Sequence, residues 1–442
     1  MTKAGKLRRA LMGGGAALVA AAAAGVWTGA SVAGKSPTPV VFWDWSQTGL
    51  PAVDNHIIAA MQNSFDHAYP QYKLEVSMLP SATFRTKDFA ALQANKPVDV
   101  FAMDNADLST YFNDGAIMPI NQYLPKWSRN LRMNLFTTTA IDGKILGIPD
   151  YVYALGLVVR KDWLTKYHLP QPTTWTTFLE DAKAFKAHGH TGFAESYQIV
   201  NGAFGWMYET WLYAAGSPVF APAAHGSAWL PMFQHPAGVA TARFLRTLQQ
   251  DGVISANAVT LPWPQTYTQF TDGQAGMVIA ANNIIPGIQH AGLGGKVEVL
   301  PMPRPPKPFG TPTALGGGEV YFINSHAPNK QGALDLLHWM LTKQFQVNEV
   351  TGGWAKGSAA AGAASEMSDL TNVNAAALRG NNPLDLGFQK ILEGPVRQEP
   401  AISNWTALKT DISQSLVNIM VNHAKASSTL AALAKQLLPL AK

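Results

Sequence analysis

The stretch VVFWDWSQTG, from Val40 to Gly49, places two tryptophans and one aspartate directly after a short apolar run. Such a run predicts a buried strand, and the apolar spacing that follows predicts a helix over 54–69. The alternating segment YKLEVSML predicts a second strand, TKDFAALQANK a second helix and VDVFAM a third strand. Strands that alternate with helices in this way indicate an α/β fold with a mostly parallel sheet and helices on its faces.

Aromatic and acidic side chains follow the first and third of these strands. Trp43, Asp44 and Trp45 stand at the end of the first strand, and Asp104 stands at the end of the third. Ligands of parallel α/β sheets bind beyond the carboxyl ends of the strands. A sugar ring has an apolar face that tryptophan covers and hydroxyls that a carboxylate accepts. The pattern therefore predicts a ligand site, for which a carbohydrate is one candidate, that includes at least one of the two tryptophans. A helix cap or a turn is the alternative role for the two aspartates.

The first 36 residues are typical of an export leader and linker. Lys3, Lys6, Arg8 and Arg9 precede an apolar run over 10–33 that ends in small residues suited to signal peptidase. We expect a general secretion signal, with twin-arginine export as the alternative. The apolar run is long enough to span a bilayer, so an uncleaved anchor stays open as well. In either case we expect the protein in the periplasm or on the extracellular face of the cytoplasmic membrane.

Charge and composition exclude several classes of function. The formal net charge is +5 at pH 7, from 33 basic and 28 acidic residues, and four of the basic residues lie in the leader. The remaining chain is nearly neutral, so no nucleic-acid partner is expected. The sequence contains no cysteine, which excludes disulfides, thiolate metal sites and cysteine nucleophiles. A chain of 442 residues is too long for one ordinary core, which favours two domains or lobes.

Signatures of the common enzyme classes are missing. The sequence has no G-x-S-x-G, no H-E-x-x-H and no G-x-x-x-x-G-K-[ST] pattern. His188 and His190 lie close together, but without nearby carboxylates a solvated pair is the better interpretation. We therefore expect no catalytic residue, no metal site and no cofactor. Asp44, Asp104 and Glu319 leave one alternative open, a secreted carbohydrate-active enzyme that uses two of these carboxylates.

Four stretches of the chain carry a resemblance to a known family. They are KPVDVFAMDNADLSTYFNDGAIMPINQYL (Lys96 to Leu124), IDGKILGIPDYVYALGLVVRKDWLTKYHLPQPTTWTTFLEDAKAF (Ile141 to Phe185), FTDGQAGMVIAANNIIPGI (Phe270 to Ile288) and GGGEVYFINSHAPNKQGALDLLHWMLTKQFQ (Gly316 to Gln346). The second is the most diagnostic, because it contains DGK-x-x-G-I-P and then P-x-T-W-x-x-F. In this order the four resemble the family 1 extracellular solute-binding proteins, the capture subunits of sugar-importing ABC transporters, from about Val40 to Leu438.

The resemblance implies both a fold and a division of the chain. It implies a two-lobed periplasmic binding protein fold, in which each lobe is a mostly parallel sheet flanked by helices and the ligand cleft lies between the lobes, beside a hinge. By analogy, residues 38–150 and 296–328 form the first lobe. Residues 154–290 and 329–442, with the C-terminal helices, form the second lobe, and residues 1–36 are the leader.

The resemblance also implies which residues face the ligand. We expect ligand contacts from Trp43, Asp44, Trp45, Asp104, Tyr151, Tyr153, Trp206, Trp263, Asn282, Gly318, Glu319 and Trp405. At Asn282 the chain departs from the family pattern, which often has a G-S-W or similar sequence there.

The leading hypothesis is a non-enzymatic, monomeric receptor that captures a sugar or oligosaccharide by cleft closure and delivers it to an ABC permease in the membrane. The 13 tryptophans and 12 tyrosines suit a carbohydrate better than a metal or an amino acid. A receptor for glycerol phosphate or a polyamine stays open, because cationic groups or the same carboxylates would hold such solutes. A receptor whose partner is a sensor kinase stays open too.

Overall fold

The computed structural model describes residues 36–46, 51–80, 83–136, 139–223, 229–356, 367–400, 402 and 404–441. The predicted leader lies outside these residues. Pro37–Lys442 forms one compact unit. Among the described helices, none combines the length and the apolar character needed to cross a bilayer.

The first three strands and the two helices between them occur in the order that the sequence predicts. The strands are β1 Thr38–Ser46, β2 Tyr72–Pro80, β3 Val100–Asp104, β4 Ile117–Met118, β5 Ala140–Ile141, β6 Lys144–Ile145, β7 Gly147–Pro149, β8 Tyr153–Ala154, β9 Gly156–Val159, β10 Thr191–Ala194, β11 Phe220–Pro222, β12 Trp229–Pro231, β13 Ala275–Ala280, β14 Glu298–Leu300, β15 Ala314–Gly317, β16 Glu319–Asn324 and β17 Val396–Arg397.

The α-helices are α1 Pro51–Ala68, α2 Phe84–Gln93, α3 Leu108–Asn113, α4 Leu124–Trp127, α5 Met133–Phe136, α6 Lys161–Lys166, α7 Trp175–Ala187, α8 Ala203–Ala214, α9 Pro236–Gln250, α10 Trp263–Thr271, α11 Ile285–His290, α12 Lys330–Met340, α13 Lys343–Thr351, α14 Ala375–Leu378, α15 Pro383–Leu392, α16 Trp405–Met420 and α17 Ala426–Leu437. Short 3-10 helices occupy Asn105–Asp107, Val200–Gly202, Asn282–Ile284 and Gly353–Ala355.

The first sheet has the strand order β2-β1-β3-β16-β4, and β7 also pairs with β16. β1 runs parallel to β2 and β3, but β16 runs antiparallel to β3, β4 and β7. The sheet is therefore mixed rather than mostly parallel as predicted. The physical reason lies in the path of the chain, because β16 returns from a long excursion through the second sheet and enters in the opposite direction.

The second sheet has the order β10-β13-β9-β14 and is mixed as well. β10 and β13 are parallel, whereas β13 and β14 both run antiparallel to β9. Its core is aromatic, with Phe178 edge-on to Phe193 and to Trp211 at ring-centroid distances of 5.1 Å. The helix that carries Phe178, α7, begins at Thr174, whose hydroxyl accepts a bond from the Thr177 amide in a capping box.

Two crossing strands connect the sheets. The chain leaves the first sheet after β7 and reaches the second through β8, and it returns from β14 through β15 to β16. β8 and β15 pair antiparallel, and β17 adds to β15 in parallel. Gly318 follows β15, where a Cβ atom would lie 2.8 Å from the Tyr151 carbonyl oxygen. This three-stranded junction corresponds to the hinge of the predicted two-lobed fold.

Two segments pack differently from the predicted division of the chain. Helices α12 and α13, which the prediction assigns to the second lobe, pack on the first sheet in one cluster with Val40, Phe42 and Leu74. The reason is that the buried residues of α12 recur at helical spacing and the helix follows β16 after a short turn. Conversely, β14 pairs with β9 in the second sheet, although the prediction places it in the first lobe. The other lobe limits stay predictions.

Candidate functional site

A cavity of about 690 Å³ opens beside the carboxyl ends of β1 and β3. One wall, the first-sheet wall, comes from β1, α2, the end of β3 with the turn after it, and β16. The opposite wall, the α16 wall, comes from Asn404–Ala407 at the start of α16. A volume of this size suits a small-molecule ligand.

Aromatic rings supply the apolar surface of the cavity. The Trp45 ring stacks on Phe84 with centroids 5.5 Å apart and planes inclined by 24°. Phe89 also lines the cavity and is 43% exposed, which is unusual for a large apolar ring. Trp405 faces the cavity from the α16 wall although it is only 3% exposed. The indole nitrogens of Trp45 and Trp405 are buried and have no hydrogen-bond partner among the described residues.

An ion-pair network forms the polar part of the first-sheet wall. The Arg85 guanidinium bonds to Asp104, and its Nε lies 3.2 Å from Oδ2 of Asp107. Burial raises the pKa of Asp107 to about 6, while the charge of Arg85 acts to lower it. The nearby charge of Asp104 raises the pKa of Arg85. Arg85 is thus held in place by two carboxylates at the mouth of the cavity.

Glu319 is the third carboxyl of the cavity. It is paired in register with Asp104 across the antiparallel strands β16 and β3, which explains why the two acids are neighbours. Its Oε2 is shielded from solvent and forms no hydrogen bond within the described part of the chain. Burial, followed by the charges of Asp104 and Asp150, raises the pKa of Glu319 well above its ordinary value. This shift favours the neutral form of the carboxyl, which can both donate and accept hydrogen bonds.

Polar contacts also join the two sides of the cavity. Asn105 Nδ2 donates to Gln398 Oε1 over 2.6 Å. Behind the α16 wall, Lys409 Nζ bonds to Glu399 Oε1 at 2.5 Å, and its ammonium lies 5.8 Å from the Trp405 ring centroid. Burial lowers the pKa of Lys409, but Glu399 outweighs this effect and the net shift is upward. Lys409 therefore stays charged and is engaged by Glu399.

Of the residues predicted to contact ligand, the structure brings Trp45, Asp104, Glu319 and Trp405 together around the cavity. Their contact with a ligand stays a prediction. Trp43 points elsewhere, since its ring packs edge-on against Phe101 at 5.8 Å. β1 and β3 pair at Phe42 and Trp43, and both strands continue for three residues beyond this pairing, to Ser46 and to Asp104. Trp45 lies in that final part of β1 and lines the cavity.

A second group of predicted residues lies along the junction and the second sheet. Tyr151 Oη donates to Asn282 Oδ1 over 3.3 Å. The rings of Tyr151 and Tyr153 lie 5.6 Å apart. Trp206 and Trp263 pack edge-to-face at 5.1 Å on the core of the second sheet. None of these five side chains is among the described residues that line the 690 Å³ cavity.

Asp44 and Gly318 make contacts within the protein and are not among the described residues that line the 690 Å³ cavity. Asp44 is 6% exposed, and its Oδ1 accepts a bond from the Trp45 amide over 2.8 Å. Burial and the charge of Asp150 raise the pKa of Asp44 well above its ordinary value. Gly318 O accepts a bond from the Asn105 amide, so this glycine ties the junction to the turn after β3.

Further buried carboxyls surround Asp150 beneath the junction. Glu349 and Asp369 line, together with Asp150, a cavity of about 10 Å³, the size of one water molecule. Burial is the first cause that raises the pKa of all three groups. This cluster is therefore a set of enclosed acids with raised pKa values rather than an open binding surface.

The cavity is also lined by Phe84, Arg85, Phe89, Asp107 and Tyr111, none of which is among the residues predicted from the sequence to contact a ligand. One feature of the sequence does point to this surface, namely the position of Phe89 on α2. In α2 the buried positions are Phe84, Asp88, Ala91 and Leu92, so a phenylalanine at position 89 falls on the polar face of the helix. An exposed aromatic beside an arginine on such a face indicates a binding surface.

The two neighbouring histidines have a structural explanation. The ring of His188 stacks on Tyr167 at 3.8 Å, and that of His190 stacks on Trp163 at 3.9 Å. Burial lowers the pKa of His190, and the charge of Arg160 acts in the same direction. The described residues contain no group of three or more acidic or histidine side chains placed to hold a metal ion.

Comparison with known proteins places the chain among binding proteins. The polygalacturonan/rhamnogalacturonan-binding protein YtcQ of Bacillus subtilis (strain 168) is 27% identical over 224 residues, which are 47% of this chain and 44% of that protein. The match therefore spans less than half of the length of this relative.

Two solved structures share the fold. The cyclic alpha-maltosyl-1,6-maltose binding protein from Arthrobacter globiformis superposes with a TM-score of 0.74 at 18% identity, over 92% of this chain and 99% of that one. The sugar-binding protein MalE from Xanthomonas citri gives a TM-score of 0.73 at 17% identity, over 91% of this chain and 97% of that one. At these identities the likeness shows the fold, and it confirms the predicted two-lobed α/β architecture.

The family itself follows from a sequence model described as bacterial extracellular solute-binding protein, which matches residues 44–347. That match covers more than half of the chain and includes Trp45, Arg85, Asp104 and Glu319 of the first-sheet wall. It confirms the predicted resemblance, and the chain therefore belongs to the bacterial extracellular solute-binding proteins.

Proposed function

We propose that this protein is an extracytoplasmic receptor that captures a sugar or oligosaccharide in the 690 Å³ cavity and delivers it to an ABC permease in the cytoplasmic membrane. It acts as a monomer in the periplasm or on the extracellular face of that membrane. Capture occurs by movement of the α16 wall toward the first-sheet wall about the junction of β8, β15 and β17.

The observation that carries this proposal is the pairing of aromatic and carboxyl groups in one cavity. Trp45 and Trp405 face the cavity from opposite walls, and Asp104 and Glu319 lie beside Trp45 on the first-sheet wall. Flat rings cover the apolar faces of a sugar, and carboxyl oxygens accept bonds from its hydroxyls. The sugar-binding names of the related proteins support the same class of solute.

Capture without turnover is the better explanation of the carboxyls. A retaining glycosidase needs a free carboxylate as nucleophile beside a protonated acid. Glu319 suits the acid, but Asp104 is bound by Arg85 and Asp44 is buried against the Trp45 amide. These carboxyl groups can accept hydrogen bonds from a sugar hydroxyl, but neither Asp104 nor Asp44 is a free carboxylate nucleophile.

A thermal-shift screen of the purified protein tests the proposal. The screen contains maltose, cellobiose, xylobiose and their longer oligomers, with glycerol 3-phosphate and spermidine as competing solute classes. A ligand at 100 times its Kd adds about 2.7 kcal/mol to stability, which for a chain of this size raises the Tm by about 3 °C. We expect such a shift with a sugar, which is recovered unchanged.

Matched tryptophan variants connect the shift to the cavity. Trp45→Ala should weaken binding of that sugar about tenfold, because it removes the ring that covers the sugar face. Trp127→Ala is the control, since Trp127 stacks on Tyr123 and His338 away from the cavity. A shift given only by the phosphate or the polyamine, or hydrolysis of the sugar, would contradict the proposed function.

A further inference from the structure

We infer that the cavity selects sugars that carry a protonated amine over neutral sugars, and rejects sugars that carry a carboxylate or phosphate, with Glu319 as the residue that pairs with the amine. This inference rests on the proposed function, since it names a class of ligand for the same cavity. It follows from the balance of charges, from the contacts that already occupy those charges, and from the one carboxyl that is left over.

The charges that line the cavity are unequal. Asp104, Asp107 and Glu319 are acids, and Arg85 is the one cation among the described lining residues. Arg85 is already bonded to Asp104 and close to Asp107. The nearest ammonium behind the α16 wall, Lys409, is engaged by Glu399. An anionic ligand would therefore meet carboxylates without meeting a cation that is free to pair with it.

The start of α16 is the feature that would favour an anion, and its amides are largely engaged. A helix N-terminus attracts negative charge through its unpaired N–H groups and its dipole. Here the Trp405 amide donates to the Ile402 carbonyl oxygen and the Ala407 amide donates to Asn404, both over 3.0 Å. The effect that remains is small against three carboxyls on the facing wall.

Glu319 is the group that an amine would satisfy. Asp104 bonds to Arg85, and Asp107 is within ion-pair distance of Arg85 although its Oδ2 forms no hydrogen bond among the described residues. Oε2 of Glu319 is buried with neither a hydrogen bond nor an ion pair inside the described residues. Burial and the negative charges of Asp104, Asp150 and Asp44 raise the pKa of Glu319, and the charge of Arg85 opposes them. The protonated form is therefore favoured in the absence of a cation. An ammonium beside it would favour the ionised form, so binding an amino sugar releases one proton.

Isothermal titration with a matched series of disaccharides tests the inference. The series is cellobiose, the fully deacetylated chitosan disaccharide and cellobiouronate, with maltose and xylobiose as further neutral probes. The titrations are run at pH 6, where the amine is protonated, in two buffers of different ionisation enthalpy. We expect the amino sugar to bind at least tenfold more tightly than its neutral analogue, with an apparent enthalpy that depends on the buffer, and no measurable binding of the uronate.

A conservative variant separates the role of Glu319 from general binding. Glu319→Gln keeps the shape and hydrogen bonding of the side chain but has no proton to release. It should bring the ratio of the affinities for the amino sugar and the neutral sugar down to about one, and it should abolish the buffer dependence. Glu393→Gln, a change at an exposed carboxyl that accepts a bond from Gln389, is the control and should change none of these values.

The outcomes separate the two proposals. If a neutral sugar binds but the amino sugar binds no more tightly, or if Glu319→Gln weakens both sugars equally, the inference about the amine is wrong and the proposed function stands. If the uronate binds most tightly, the charge argument is wrong. If no sugar of any charge binds, the proposed function fails and this inference fails with it.

Discussion

Replacing Asp88 by asparagine should stabilise the protein at alkaline pH and change its stability little near pH 4. Asp88 occupies the buried face of α2, between Phe84 and Ala91, and is 1% exposed. Its Oδ1 has no hydrogen-bond partner in the described chain. Burial raises the pKa of Asp88 from 3.8 to about 8. The helix that supplies Arg85 and Phe89 to the cavity is thus anchored through a protonated acid.

The sign and size of the effect follow from proton binding. The folded pKa lies above the unfolded one, so the stabilising contribution of Asp88 is complete below about pH 4 and is lost as the pH rises toward 8. Within that window the folded state holds one proton that the unfolded state releases, which costs about 1.4 kcal/mol of unfolding free energy per pH unit. Between pH 5 and pH 7 the wild-type protein should lose on the order of 3 kcal/mol through Asp88 alone.

Urea unfolding at pH 5, 6, 7 and 8 measures this loss. Asp181 and Glu195 are also buried acids with raised pKa values, about 7 and about 8, so the wild-type protein should become less stable with rising pH in any case. The difference between Asp88→Asn and wild type isolates Asp88, and Asp272→Asn, at an exposed carboxyl, is the control. A difference that stays constant with pH would refute the reasoning, because Asp88 would then be ionised inside the fold.

Two further predictions concern the junction and the second sheet. Gly318→Ala should lower the free energy of unfolding by about 1–3 kcal/mol in chemical denaturation, because the added Cβ would meet the Tyr151 carbonyl oxygen. Gly295→Ala is the control, since the space around Gly295 is open and no such loss is expected. Equal losses in the two variants would contradict the packing argument. Thr174→Ala should lower the free energy of unfolding by about 1 kcal/mol, because it removes the hydroxyl that caps α7. Thr174→Ser keeps a capping hydroxyl and should retain most of the stability. An unchanged Tm for the alanine variant would show that the cap contributes nothing.

Local pattern predicted much of the architecture. The strands and helices from β1 to β3 were predicted to within a few residues, because apolar periodicity and Pro70 mark them directly. The pattern PTTW before an amphipathic stretch predicts a threonine cap at Thr173 or Thr174, and the cap of α7 is Thr174. The apolar pattern over about 330–346 predicts one helix, but the structure has two, since Thr342 caps a new helix through the Phe345 amide. The direction of the strands in the two sheets could not be predicted from local sequence patterns. It depends on the direction in which a later strand such as β16 enters the sheet.

The candidate site was predictable only in part. The ends of the predicted strands indicate Trp45 and Asp104, and the family resemblance adds Glu319. The sequence alone does not separate Trp45 from Trp43, because the difference depends on tertiary packing, in which the Trp43 ring lies against Phe101. Arg85 lies on a predicted helix whose charged residues are typical of a solvent-exposed face. Its position between Asp104 and Asp107 depends on the tertiary fold and cannot be predicted from local sequence.

The two walls of the cavity differ in how many separate parts of the chain compose them. The first-sheet wall draws its side chains from several segments far apart in sequence, whereas the described residues of the α16 wall are consecutive, Asn404–Ala407. Exchanging that tetrapeptide between relatives would therefore replace the described part of one face of the cavity in a single step. Under the proposed function, solute preference is expected to diverge fastest there, while the opposite face, which is built from the sheet, α2 and the turn after β3, changes slowly.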